Sequence, residues 1–130
     1  MTNPIEPIWI TERLVRAIHR RQLAEHGGID VLSNEELRGT VLARPRQLHA
    51  TAEPCDKPRL AAAYATQLAR GPALFDGNKR TAAVVCETFL ELNGCRLDVS
   101  DDELLFMFFG VAAGSISEEE LGEWVRAGLG

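Results

Sequence analysis

The chain has little of what would place it in a membrane, on a nucleic acid or around a metal. No apolar run approaches the roughly 20 residues a membrane-crossing helix needs, and the longest, LLFMFFGVAA, is about half that length. The first residues, MTNPIEPIW, show neither the basic region nor the apolar core of a leader, so a cytoplasmic protein with no membrane contact is expected. A basic excess is also missing, because 14 Lys and Arg stand against 19 Asp and Glu, a net charge of −5. General nucleic-acid binding rests on phosphate neutralisation by such an excess, so no direct nucleic-acid partner is expected, while a local cluster of cations can still hold one nucleotide. Cysteines are odd in number (Cys55, Cys86 and Cys95) and lack C-x-x-C spacing, and His19, His26 and His49 lack ligand spacing with one another. Both facts argue against a metal held by protein side chains alone. Cys86, inside AVVCETFL, reads as a buried small hydrophobe.

Strand signals are nearly absent as well. Only IWI near the start and CRLDV, Cys95 to Val99, read as extended, either as a small ribbon or as irregular chain. Helix signals fill the rest. TERLVRAIHRRQLAEHGG opens on Thr11 as an N-cap, stops at Gly27 and Gly28, and carries a stripe of Leu14, Val15 and Ile18. SNEELRGTVLARP opens on a capping box, Ser33 to Glu36, and Pro45 is expected to end it. KPRLAAAYATQLARG has Pro58 at its first helical position and Gly71 as terminator. NKRTAAVVCETFLELNG runs to Asn93 and Gly94, and its apolar middle predicts a buried central helix. Two more capping boxes, Ser100 to Glu103 and Ser117 to Glu120, open the last helices. No repeat or linker interrupts the 130 residues, so the expectation is one all-α domain of about six helices around a buried one.

The chemistry concentrates in GPALFDGNKRTAA, Gly71 to Ala83, between two of these helices. A helix start leaves backbone N–H groups unpaired, and the macrodipole makes that end positive. Gly77 removes a Cβ from the approach, Arg80 can fork two hydrogen bonds onto a phosphate, and Lys79 adds a point charge. Asp76 would repel phosphate unless a cation such as Mg²⁺ lies between them. On this reading Gly77, Asn78, Lys79, Arg80 and Thr81 bind the phosphates and Asp76 holds the metal. The plainer reading, a solvated turn at a helix start, stays open on physics alone. The P-loop spacing of two glycines before Lys and Ser or Thr is missing.

PALFDGNKRTA resembles the signature of the Fic/Doc family: His, any residue, Phe, any residue, Asp or Glu, Gly or Ala, Asn, Lys or Gly, then Arg. The start AIHRRQLAEHGG, the helix ending LARP, the FLELNG after the signature and the closing ELGEWV look like the death-on-curing (Doc) branch, so the resemblance covers nearly the whole chain. Asp76, Gly77, Asn78, Lys79 and Arg80 match as they stand. Leu74 replaces the Phe that packs the loop onto the core, with Phe75 beside it. Pro72 stands where the family has its catalytic His, the base that takes a proton from the target hydroxyl as it attacks a nucleotide phosphate. Imidazole suits that task because its pKa lies near neutrality, and proline has neither a proton acceptor on its side chain nor a backbone N–H. His19, on the first helix, reads as a structural or half-buried residue, and His49 as a loop residue after Pro45. The resemblance therefore implies an ATP- and Mg²⁺-dependent transferase fold in a chain whose present form is inactive.

Two origins fit Pro72. It is an inactivating substitution in a toxic protein, or the mark of a pseudoenzyme that retains only nucleotide or antitoxin binding. The intact Asp-Gly-Asn-Lys-Arg run favours the first. AMP-transferring Fic enzymes usually carry Gly where Lys79 stands, and the Lys form resembles the Doc type, which transfers the terminal phosphate of ATP to a threonine of elongation factor Tu. AMP transfer is the alternative. The self-inhibiting helix of some Fic proteins, with Glu four residues after Ser or Thr, is absent, because Glu91 follows Thr88 by three. Restraint is then expected from a Phd-type antitoxin seated in a groove that the LLFMFFGVAA helix helps to form, if that helix is not simply core.

Overall fold

The computed structural model describes residues 6–28, 30, 32–51, 55–71 and 76–130, with side chains from 79 onward in the last stretch. Helix α1 is Glu12–His26, α2 Asn34–Glu36, α3 Ala43–Thr51, α4 Lys57–Ala69, α5 Asp76–Leu92, α6 Asp101–Ala113 and α7 Glu118–Ala127, and a π-helical turn, Leu37–Val41, joins α2 to α3. Taking the bent helical stretch from Asn34 to Thr51 as one unit gives six helices among the described residues, in line with the all-α expectation.

The capping chemistry works largely as read. Thr11 accepts from the Leu14 N–H at 3.1 Å, and Gly27, at φ +81°, closes α1 by donating to the Leu23 carbonyl at 2.8 Å. Of the three capping boxes, Ser117 with Glu120 is reciprocal, at 3.0 and 2.9 Å. Ser33 and Ser100 accept from the backbone of Glu36 and Glu103, and in neither does the Ser N–H donate the return bond to that acid. The Ser117 box matters most because α7 buries Leu121 and Val125 behind it. Ser117→Ala is expected to cost about 1 kcal/mol, in the range for lost N-caps, read as a lower urea midpoint. An unchanged midpoint would show that the box adds nothing.

Pro45 does not end its helix, contrary to expectation. It lies buried at the third position of α3, in a first turn where a missing N–H costs little. The π turn just before it, closed by Leu42 N–H to the Leu37 carbonyl at 2.9 Å, absorbs the extra residue. His49 therefore sits on α3, edge-on to Trp9 with ring centroids 5.4 Å apart, and not in a loop.

The middle of α5 is buried as expected, with Val85, Cys86, Phe89 and Leu90 at 0% exposure. Burial pushes the Cys86 thiol up to about 12, which keeps it a neutral hydrophobe. The most enclosed helix, however, is α4, where Leu60 through Ala65 are all buried. Its alanines let α5 and α7 approach closely, and Glu118 at the start of α7 clasps it through Arg59 at 3.3 Å and reaches α3 through Arg44 at 3.0 Å.

The two extended stretches do not pair with each other. Ile8 is held by both sides of the Asn93 amide, at 2.8 and 3.0 Å, and the Ile10 N–H donates to the Tyr64 hydroxyl at 3.1 Å. Leu97 instead makes an isolated antiparallel bridge to Leu129. Among the described residues, no helix is long and apolar enough to cross a membrane.

Candidate functional site at the start of helix α5

The loop that carries the motif is tethered at its entry. Arg70, at the C-cap of α4, donates Nε to the Val111 carbonyl at 2.9 Å and Nη2 to the Ile116 carbonyl at 2.8 Å, tying the loop entry to the α6–α7 connection. Pro72, Leu74 and Phe75 lie outside the described residues, as do the side chains of Asp76, Gly77 and Asn78. The backbone from Asp76 onward is helical, so the N–H groups of the first turn are those a helix cannot pair internally.

Lys79 completes that first turn and Arg80 opens the second, both part-exposed. The Lys79 ammonium lies 4.8 Å from the centroid of the Phe109 ring, a cation–π contact with α6. Arg80 lines two clefts. One, of about 110 Å³, is bounded by Lys79, Leu105 and Phe109. The other, of about 310 Å³, includes Gln22 and His26 of α1, Glu87 of α5 and Asp101 of α6. Burial lifts the Glu87 carboxyl above its ordinary range, with Glu91 and Asp101 adding to the shift. Arg80 thus shares the larger cleft with two carboxylates, whereas the smaller one, which Lys79 also lines, is otherwise apolar.

Thr81 is placed differently from the sequence reading. It is 0% exposed, and its hydroxyl lies 2.8 Å from Nδ1 of His19, which is itself 1% exposed. A hydroxyl turned into the core and engaged there cannot reach a phosphate in solvent, so Thr81 leaves the contact set and becomes support beneath it. Of the two readings given for His19, structural or half-buried, the structure shows the first, with the side chain fully buried. The signal that could have found it is its spacing, four residues after Val15 on the one buried face of α1. Phe109, Glu87 and Asp101 were also outside the sequence reading, since their approach to Lys79 and Arg80 depends on how α6 packs.

Burial holds the His19 imidazole below its ordinary pKa of 6.5, with Asp30 opposing and Arg16 assisting. An unfolded His therefore takes up its proton first as pH falls. The stability His19 confers is complete above about 6.5, is lost as pH drops below that, and levels off once the native imidazole also protonates. Urea midpoints near pH 7.5 and near pH 5.5 are expected to fall with acidification, and to fall less in His19→Asn. An equal fall in both proteins would contradict this role.

A helical domain presenting cations at a helix start is the class the geometry defines. A family model described as Fic/DOC family matches residues 9–90, which spans α1 through most of α5 and the loop between α4 and α5. The chain belongs to the Fic/DOC family. No curated protein matches the chain.

Proposed function

We propose that this chain is a Doc-type toxin scaffold for transferring the terminal phosphoryl group of ATP to a hydroxyl of a translation factor, elongation factor Tu, and that the Pro72 form binds nucleotide without turning it over. The observation that carries this reading is the placement of Lys79 and Arg80 within the first five residues of α5, inside the family-matched segment. Phosphoryl transfer asks a protein mainly for positioning and for neutralisation of charge spread over the phosphate oxygens. Arg80 offers a forked donor for those oxygens, Lys79 a charge, and Gly77 and Asn78 stand at the unpaired N–H end of the helix. A carboxylate beside a phosphate cradle is a donor set that suits Mg²⁺, and Asp76 would hold the ion, which supplies further neutralisation when bound. The step that this chain lacks is proton removal from the attacking hydroxyl. AMP transfer is the second reading, and Lys79 in place of a glycine speaks against it through bulk at the phosphates.

The antitoxin reading draws support from α6. Leu104, Phe108 and Val111 are buried, whereas Phe106 is 73%, Phe109 58% and Leu105 40% exposed. A face of this kind at the edge of the clefts suits an amphipathic segment of a Phd-type partner. Calorimetry on the chain as it stands tests the function: ATP with Mg²⁺ is expected to bind, more tightly than ATP with chelator. No binding in either case would refute the nucleotide site.

A further inference from the structure

We infer that His19, through Thr81, is a positioning residue that sets the N-terminal turns of α5 and with them the direction of Arg80; this rests on the nucleotide reading proposed above. The two residues lie 62 positions apart, yet His19 Nδ1 and Thr81 Oγ1 meet at 2.8 Å with both side chains buried. On the other side of the ring, Nε2 is buried without a hydrogen-bond partner and points to Oδ1 of Asp30 at 3.6 Å. That carboxylate faces the ring as the nearest negative charge, which favours the proton on Nε2 and leaves Nδ1 to accept from the Thr81 hydroxyl. Asp30 is fixed in turn: Oδ1 accepts from the Leu32 N–H at 3.2 Å and lies 3.4 Å from Arg16 Nη1, whose Nη2 donates to Asn34 at 2.8 Å.

The result is a chain of polar contacts running from the connection after α1, through the ring, to the residue that directly follows Arg80. Side chains on a helix are separated by about 100° per residue, so pinning Thr81 toward α1 fixes the side on which Arg80 projects, toward Gln22, Leu105 and Phe109. No apolar contact could set this rotation as sharply, because a hydrogen bond is directional and an unmade one in the core is costly.

Thr81→Val keeps the shape and removes the hydroxyl. It is expected to weaken ATP·Mg²⁺ binding about threefold to tenfold and to speed amide exchange in the first turns of α5 by a similar factor, the worth of one hydrogen bond. Thr81→Ser is expected to restore both, and His19→Asn, which keeps a polar atom near the Nδ1 position, to weaken them less than His19→Leu. Unchanged affinity and exchange in Thr81→Val would overturn the inference, as would a lower melting temperature with unchanged affinity. Should the parent chain bind no ATP·Mg²⁺, the nucleotide reading falls by itself, and unchanged exchange in Thr81→Val would then remove the pinning as well.

Discussion

Pro72→His is expected to turn a harmless chain into one that arrests bacterial growth when induced without antitoxin. The change supplies a base with an ordinary pKa near neutrality, an effect typically worth about 10²- to 10⁴-fold in rate. It also returns a backbone N–H and frees φ at a position one residue beyond Gly71. The two elements that flank the loop are both anchored. Arg70 is tied to the carbonyls of Val111 and Ile116, and α5 begins at Asp76 on a helix buried against α4. Growth curves of the two forms under matched expression check this. Equal growth, with both proteins folded and present, would leave a binding module and not a toxin.

Arg80→Ala is expected to weaken ATP·Mg²⁺ binding by about 1.5–3 kcal/mol, the usual worth of hydrogen bonds to a charged group, or roughly 10- to 150-fold in Kd. Among the described residues none accepts a hydrogen bond from its guanidinium, and it stands at the junction of the two clefts. Its removal therefore costs the fold little and the ligand much. Titration calorimetry on both proteins, with melting temperatures as a control, separates the two. Equal affinity would take Arg80 out of the site.

Much of this was legible in the sequence because it depends on local chemistry. Ser117 with Glu120, Thr11 with Gly27, and Asn93 with Gly94 mark helix ends through bonds a few residues long, and the Asp-Gly-Asn-Lys-Arg run sits on one helix start. What escaped depends on packing between distant segments. Alanine carries a weak hydrophobic signal, so α4 gave no sign of being the most enclosed helix. In α6 nearly every residue after the first turn is apolar, so the split between buried Leu104 and Phe108 and exposed Phe106 and Phe109 is decided by how α6 packs on α5 and α4 and cannot be read from the apolar pattern. Pro45 was misread because a π turn ahead of it converts a helix end into a helix start. Thr81 was misassigned because adjacency to Arg80 along the chain hides the turn of the helix that buries it.

The central claim, a phosphate-transfer site at the start of α5 that lacks only its base, is tested most directly by label transfer to purified elongation factor Tu. With Pro72→His and Mg²⁺, label is expected to move from γ-labelled ATP and not from α-labelled ATP, and Asp76→Ala in the same background is expected to abolish it by losing the metal. Label moving only from α-labelled ATP would contradict the phosphoryl reading in favour of AMP transfer, and no transfer from either would contradict the claim that the base is all that is missing.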